Sequence, residues 1–199
     1  MRRLADRLGV GTMSLYAHVP GRAELIDLMV DAAFAEVRYE AGALDPADWR
    51  AALETVARRN WELFDRHRWL LDVDTTRPPL GPGTIGKYDA ELGALVGIGL
   101  DDVEMDQILT LVLEHVRSTA RQALAADAER STDGEWWTVA GPVLAGLLDA
   151  ARYPLAARVG EAAGSTYDAP ADPHRAYAFG LRTILDGVAA LVAQRSARR

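Results

Sequence analysis

The sequence predicts an all-α protein, with a small N-terminal helix-turn-helix head in front of a larger helical body. Apolar residues recur at helical spacing in nearly every stretch between glycine and proline breaks. Asp45-Pro46, Asp101-Asp102 and Asp172-Pro173 mark three helix starts, each offering a carboxylate to free amides. Residues 2–22, RRLADRLGVGTMSLYAHVPGR, read as two short helices broken at Gly9-Val10-Gly11.

In that opening stretch, Leu4, Ala5 and Leu8 share one helix face, and Leu15 and Val19 share one on the next. Ala5, Gly9 and Leu15 have helix-turn-helix spacing: a small residue at the crossing, a glycine at the turn, an apolar anchor underneath. The second helix is expected over Thr12 to Val19, capped by the Thr12 hydroxyl and stopped by Pro20. Thr12, Met13, Tyr16 and His18 face outward and suit base edges and phosphates in a major groove. An ordinary helical hairpin would show almost the same spacing.

A longer helix is expected from Arg22, with Ile26, Met29, Val30, Ala33, Phe34 and Val37 in register and Gly42 as its end. The helix after Asp45-Pro46 places Trp49, Leu53, Val56, Asn60, Leu63, Phe64 and His67 on one side. Asn60 reads as a core polar group satisfied by its neighbours. His67, near Trp61 and Phe64, reads equally as core or as the wall of a pocket. Residues 72–86 hold Pro78, Pro79, Pro82 and three glycines, and are expected to be irregular. A helix over Thr84 to Val96 follows, with Tyr88, Leu92 and Leu95 on one face, stopped by Gly97 and Gly99.

The longest helix is expected over about Asp102 to Ala128, roughly 40 Å at 1.5 Å per residue. His115 and Thr119 lie on its inner face with Ile108, Leu111 and Val112, as in a cavity with a few orienting groups; packed core is the competing reading. A separate helix, Glu135 to Ala151, carries Trp136 and Trp137. These project ~100° apart, so one should face a pocket or partner. Gly141-Pro142 is expected to bend this helix or reset its start. A short helix after Tyr153-Pro154 leads into a loop, GEAAGSTYDAPAD, and then the last helix. That helix has a broad apolar face (Tyr177, Leu181, Ile184, Leu185, Val188, Leu191, Val192) and a stripe of small residues, Gly180, Thr183, Gly187 and Ala190. Two helical glycines cost ~1 kcal/mol each relative to alanine, so a close helix–helix approach is expected on the stripe.

Composition limits the function. A hydrophobic content of 49% supplies a core. No run approaches the ~18 apolar residues of a bilayer span, and no signal peptide is read. There is no cysteine, hence no disulfide or thiolate site, which fits a reducing cytoplasm. No phosphate loop or HExxH helix is found, and His18, His67, His115 and His174 fall on separate elements, so neither cofactor, metal nor catalysis is expected. Net charge is −7, yet residues 1–22 hold four arginines against Asp6, a local +3 that leaves −10 on the rest. DNA affinity follows charge at the contact surface, so a basic head on an acidic body suits a DNA reader.

The stretch MRRLADRLGVGTMSLYAHVPGRAELIDLMVD resembles the DNA-reading part of the tetracycline-repressor (TetR-like) family, from its second helix into its fourth. The portion LGV-x-x-x-SLY-x-HV followed by Arg22 is specific to that family. Tyr153-Pro154, the last helix and TTRP at 75–78 resemble the ligand-binding domain of its tetracycline-repressor subgroup. The resemblance implies a further helix and a basic arm before this point, so that the three-helix head is incomplete here. It divides the chain into a DNA-binding head with its connecting helix, 1–42, and a ligand-binding and dimerisation domain, 43–199.

On that basis the expected function is a ligand-responsive homodimeric repressor in the cytoplasm, with palindromic double-stranded operator DNA and a small-molecule inducer as partners and no membrane. Thr12, Met13, Ser14, Leu15, Tyr16, His18 and Arg22 would read DNA, with Thr12 and Met13 toward bases and Tyr16 and Arg22 on phosphates. Trp61, Phe64, His67, Tyr88, Leu92, His115, Thr119 and Trp137 would line the ligand site. The small-residue stripe would join the tryptophan-bearing helix in a four-helix dimer interface. The alternatives are a ligand-binding dimer that does not bind DNA and, behind it, an all-α enzyme.

Overall fold

The computed structural model describes residues 1–73, 77–167, 169 and 171–197, with 128–137 described by backbone alone. Every regular element among them is helical. In order they are α1 (Arg2–Leu8), α2 (Thr12–His18), α3 (Arg22–Phe34), α4 (Trp49–Arg66), α5 (Pro82–Leu92), α6 (Asp102–Leu147), α7 (Pro154–Tyr167) and α8 (Pro173–Ser196). Short 3-10 turns precede α4 and follow α4 and α5.

The acidic starts act as predicted. Asp45 accepts from the Ala47 amide and Asp48 from Ala51, so a 3-10 turn leads into α4. Asp101 and Glu104 form a reciprocal capping box at α6, and Asp172 accepts from the Arg175 amide at α8. The core lies where α4, α6 and α8 meet: Leu53, Val56 and Leu63 of α4 pack with Leu109, Val112 and Val116 of α6 and Leu185 and Val188 of α8. Leu70, Leu71 and Leu95 close it from the 3-10 turns. Arg117 donates to the carbonyls of Leu70 (3.2 Å) and Val73, fixing the turn after α4 to α6.

Several expectations are corrected. α3 ends at Phe34, and Gly42, at φ 80°, serves a later turn. α5 begins at Pro82, inside the stretch expected to be irregular, because proline fits the first helical turn, where its missing amide is no loss. Gly141-Pro142 neither breaks nor restarts a helix: α6 runs unbroken for 46 residues, about 69 Å. One proline removes one ladder bond, a small fraction of so long a helix. The residues GEAAGSTY are helical within α7, where Ser165 and Thr166 turn their hydroxyls back to the Glu161 and Ala162 carbonyls. α8 is also long and apolar enough, by length and composition, to cross a bilayer, with a mean hydropathy of 1.4 over its 18-residue window. Arg182 and Asp186 interrupt its apolar residues and hid this from a search for uninterrupted runs.

Candidate nucleic-acid head, joint and ligand cleft

The head has the geometry its spacing implies. Ala5 is fully buried, and Gly9 takes a left-handed conformation (φ 67°) that closes α1 and turns the chain. Gly11, in an extended conformation, is the residue before α2, so Thr12 is the first helical residue and its hydroxyl makes no cap. Met13 is 79% exposed and Tyr16 42%, and Ser14, His18 and Arg22 are also exposed. Thr12 and Leu15 are half-buried. Leu15 is thus placed to serve as the apolar anchor beneath the helix.

α3 is fastened to the body at both ends of α5. Gly81, before α5, has no side chain to cap the helix, and Asp31 of α3 supplies the carboxylate from 52 residues away. Its oxygens accept from the Gly83 amide (3.2 Å), the Thr84 amide (2.7 Å) and the Thr84 hydroxyl (2.9 Å). The Thr84 amide bond, ahead of the others, lowers the Asp31 pKa. At the far end, Glu91 is fully buried and accepts from Tyr39 (2.7 Å), Asn60 (2.7 Å) and Lys87 (2.8 Å). Burial first, then the Glu91 charge, pushes the Tyr39 phenol well up. Lys87 also sits over the Phe34 ring, 5.3 Å from its centroid. Asn60 is thus the satisfied core polar residue its position suggested.

The expected ligand residues divide. Trp61 and Phe64 line a cleft of about 170 Å³ between α4 and α6, with Leu71, Ala120, Ala123 and Leu124 as further walls and His174 at its mouth. Trp61 meets His174 at 5.4 Å and Tyr177 edge-on at 4.7 Å, and Tyr177 stacks on His115 at 6.1 Å. Burial raises the Tyr177 pKa. His174 and Tyr177 were absent from the expected set. Their cue was a position in the first two turns of α8 in register with Gly180, but their approach to Trp61 is a long-range contact.

His67, Tyr88 and Leu92 do not join this cluster. His67 ends α4 with Nε2 2.8 Å from Glu36, whose pKa is lowered by His67 first and then by Arg66. Tyr88 is exposed and donates to Asp106 (2.8 Å), which raises its pKa. Leu92 packs against the core edge. Thr119 is buried, its hydroxyl returned to the His115 carbonyl (2.7 Å) of its own helix. Trp136 and Trp137 fall among side chains outside the described residues, and 74–76, with the two threonines of TTRP, lie outside them altogether.

On α8 the small-residue stripe also divides. A β-carbon at Gly180 would overlap the His115 imidazole, so this glycine serves a contact within the chain. Thr183, Gly187 and Ala190 remain exposed, and a β-carbon at Gly187 would meet nothing within 4 Å. Phe179 and, on α6, Val139, Val143, Leu144 and Leu147 are exposed apolar residues as well.

A helix-turn-helix head strapped to an all-helical body is the architecture of a transcription regulator. Residues 42–192 match the family of the tetracyclin repressor-like C-terminal domain. The chain is 41% identical to the HTH-type transcriptional repressor DrrR1 of Streptomyces coeruleorubidus, over 98% of this chain and 71% of that protein. It is 28% identical to an HTH-type transcriptional repressor of Mycobacterium tuberculosis, over 98% and 74%. Among solved structures it is similar to the TetR family protein ActR of Streptomyces coelicolor, in complex with actinorhodin (27% identity) and with (S)-DNPA (26%). Both superpose with a TM-score of 0.76, covering 96% of this chain and 87% of ActR. The chain belongs to the TetR-like family of transcriptional regulators, and its relatives are repressors rather than enzymes.

Proposed function

We propose that this chain is a ligand-responsive homodimeric repressor that works in the cytoplasm, with residues 1–42 as its DNA head and 43–199 as its sensor. Consecutive residues of α4 carry the reading: Asn60 enters the buried joint with Glu91, and Trp61 enters the cleft. A ligand that moves Trp61 strains the joint that holds α3 and, through it, α2. Operator and inducer then weaken each other by the same factor, as linkage requires. That ActR binds actinorhodin supports a flat, partly polar molecule as the occupant here, with Asp65 and Arg68 as polar groups beside the walls of Trp61 and Phe64.

Two heads would set α2 into successive major grooves of a palindromic operator about one helical turn apart. Met13 and Thr12 face bases, and Tyr16 and Arg22 hold phosphates. The test is selection from a random duplex pool followed by salt titration. Arg22→Ala weakens selected and non-specific DNA alike and lowers the salt slope by about one charge. An unchanged slope removes Arg22 from the contact, and a chain that retains no duplex overturns the repressor reading in favour of a ligand-binding dimer.

Thr183, Gly187 and Ala190 form the close-approach stripe of the dimer, beside the exposed apolar end of α6. Gly187 has free space around it within one chain, so Gly187→Leu leaves the monomer fold intact while overpacking the interface. A cost of ~1–3 kcal/mol shifts the dimer constant about 5- to 150-fold. Sedimentation at low micromolar concentration should show monomer, and an unchanged mass excludes this face.

A further inference from the structure

The residues of α2 are TMSLYAH. In a major groove arginine and lysine pair bidentately with guanine, asparagine and glutamine with adenine, and the acids accept from cytosine. α2 contains none of these residue types. Arg2, Arg3, Arg7 and Arg22 stand on α1 and at the start of α3, so the head keeps its arginines off the helix that would read bases. At ~100° per residue, Met13 and Ala17 each lie about 160° around α2 from Leu15, the half-buried residue on its underside. Both are exposed, Met13 to 79%. Ser14 and Tyr16 flank them, one on either side. The outermost ridge of α2 is therefore a thioether and a methyl group. Neither offers a hydrogen to a base, and the sulfur is only a weak acceptor.

From this ridge we infer that α2 reads its operator through thymine methyl groups, with Met13 as the specificity-determining residue and Ala17 beside it one turn on. The inference rests on the head reading a major groove. The C5 methyl of thymine is the apolar group a base pair shows there, and it marks which strand carries the thymine. A thioether side chain is flexible and polarisable, so it can close over a methyl without a fixed angle of approach. Guanine or cytosine at the same place would turn polar groups toward a side chain that cannot pair with them. Their bound water would be displaced and nothing would replace it. The operator should thus carry a thymine facing Met13 in each half-site, while Tyr16 and Arg22 hold the phosphates alongside.

The test uses the full chain and a duplex recovered from a random pool. Each thymine is replaced in turn by uracil, which keeps the pairing edge and lacks only the methyl. At one thymine of each half-site the affinity should fall about 3- to 5-fold, the effect of withdrawing one methyl group from contact. Cytosine placed there should bind more weakly than 5-methylcytosine by the same factor. In Met13→Ala, where an exposed side chain is shortened and the fold is left as it was, both ratios should fall to about one. Uracil without effect at every thymine, or ratios that survive in Met13→Ala, overturns methyl readout by Met13 and leaves the repressor reading intact. Retention of no duplex overturns the repressor reading and this inference with it.

Discussion

Glu91→Ala should lower the stability of the chain by about 3–5 kcal/mol, because it leaves the Lys87 ammonium buried without its counter-charge. Tyr39 and Asn60 lose an acceptor in the same step. For a chain of this length each kcal/mol is worth roughly 2–4 °C, so the melting temperature should fall by about 6–20 °C. The paired change Glu91→Leu with Lys87→Met should recover much of the loss, since a buried ion pair replaced by apolar residues of similar size is often neutral. Glu91→Leu alone, Lys87→Met alone and the pair form a double-mutant cycle, and a coupling below about 0.5 kcal/mol would show that the pair does not act as a unit. If Glu91→Ala melts within a degree or two of the unmodified chain, the network is not what fastens the head to the body.

Gly83→Ala should separate α3 from α5. A β-carbon there would overlap the backbone carbonyl oxygen of Asp31 and come within 2.9 Å of the Ala35 β-carbon. Backbone cannot rotate aside as a side chain can, so the helices must part, at a cost of about 1–3 kcal/mol or more. Asp31 then loses the amides of Gly83 and Thr84. Gly86 is the control, one turn along α5, where an added methyl would meet nothing within 4 Å. Gly86→Ala should stabilise the chain by about 0.5–1 kcal/mol through helix propensity alone. Thermal denaturation of the two variants should therefore move in opposite directions. Equal shifts would mean that the α3–α5 contact is looser than its geometry implies.

What the sequence made legible was local. The starts at Asp45, Asp101 and Asp172 are written in residues within one turn of each other, and each caps as read. The head was equally plain, because Ala5, Gly9 and Leu15 answer to a single short motif. The end of α3 was not, since residues 35–40 leave the helix to carry Tyr39 to Glu91, a partner 52 residues away. The start of α5 was missed for the same reason: its cap comes from Asp31, not from its own neighbourhood. Around the cleft, Trp61 and Phe64, both expected at the ligand site, do lie together on α4. Periodicity could not show that His67 turns to Glu36, or that Gly180 makes room for the His115 ring. Such assignments depend on which helices meet and at what height, information that no single helix holds.

Lys87 is the only lysine in the sequence, and its side chain is 7% exposed within the Glu91 network. The folded surface therefore offers amine-directed reagents no side chain to attack. Acylation of Lys87 requires the joint to open, so its rate under gentle labelling counts openings of the contact between head and body. The chain carries its own chemical stopwatch for the motion that would pass from sensor to DNA head. Coupling to a surface through lysine would capture molecules caught with that joint sprung.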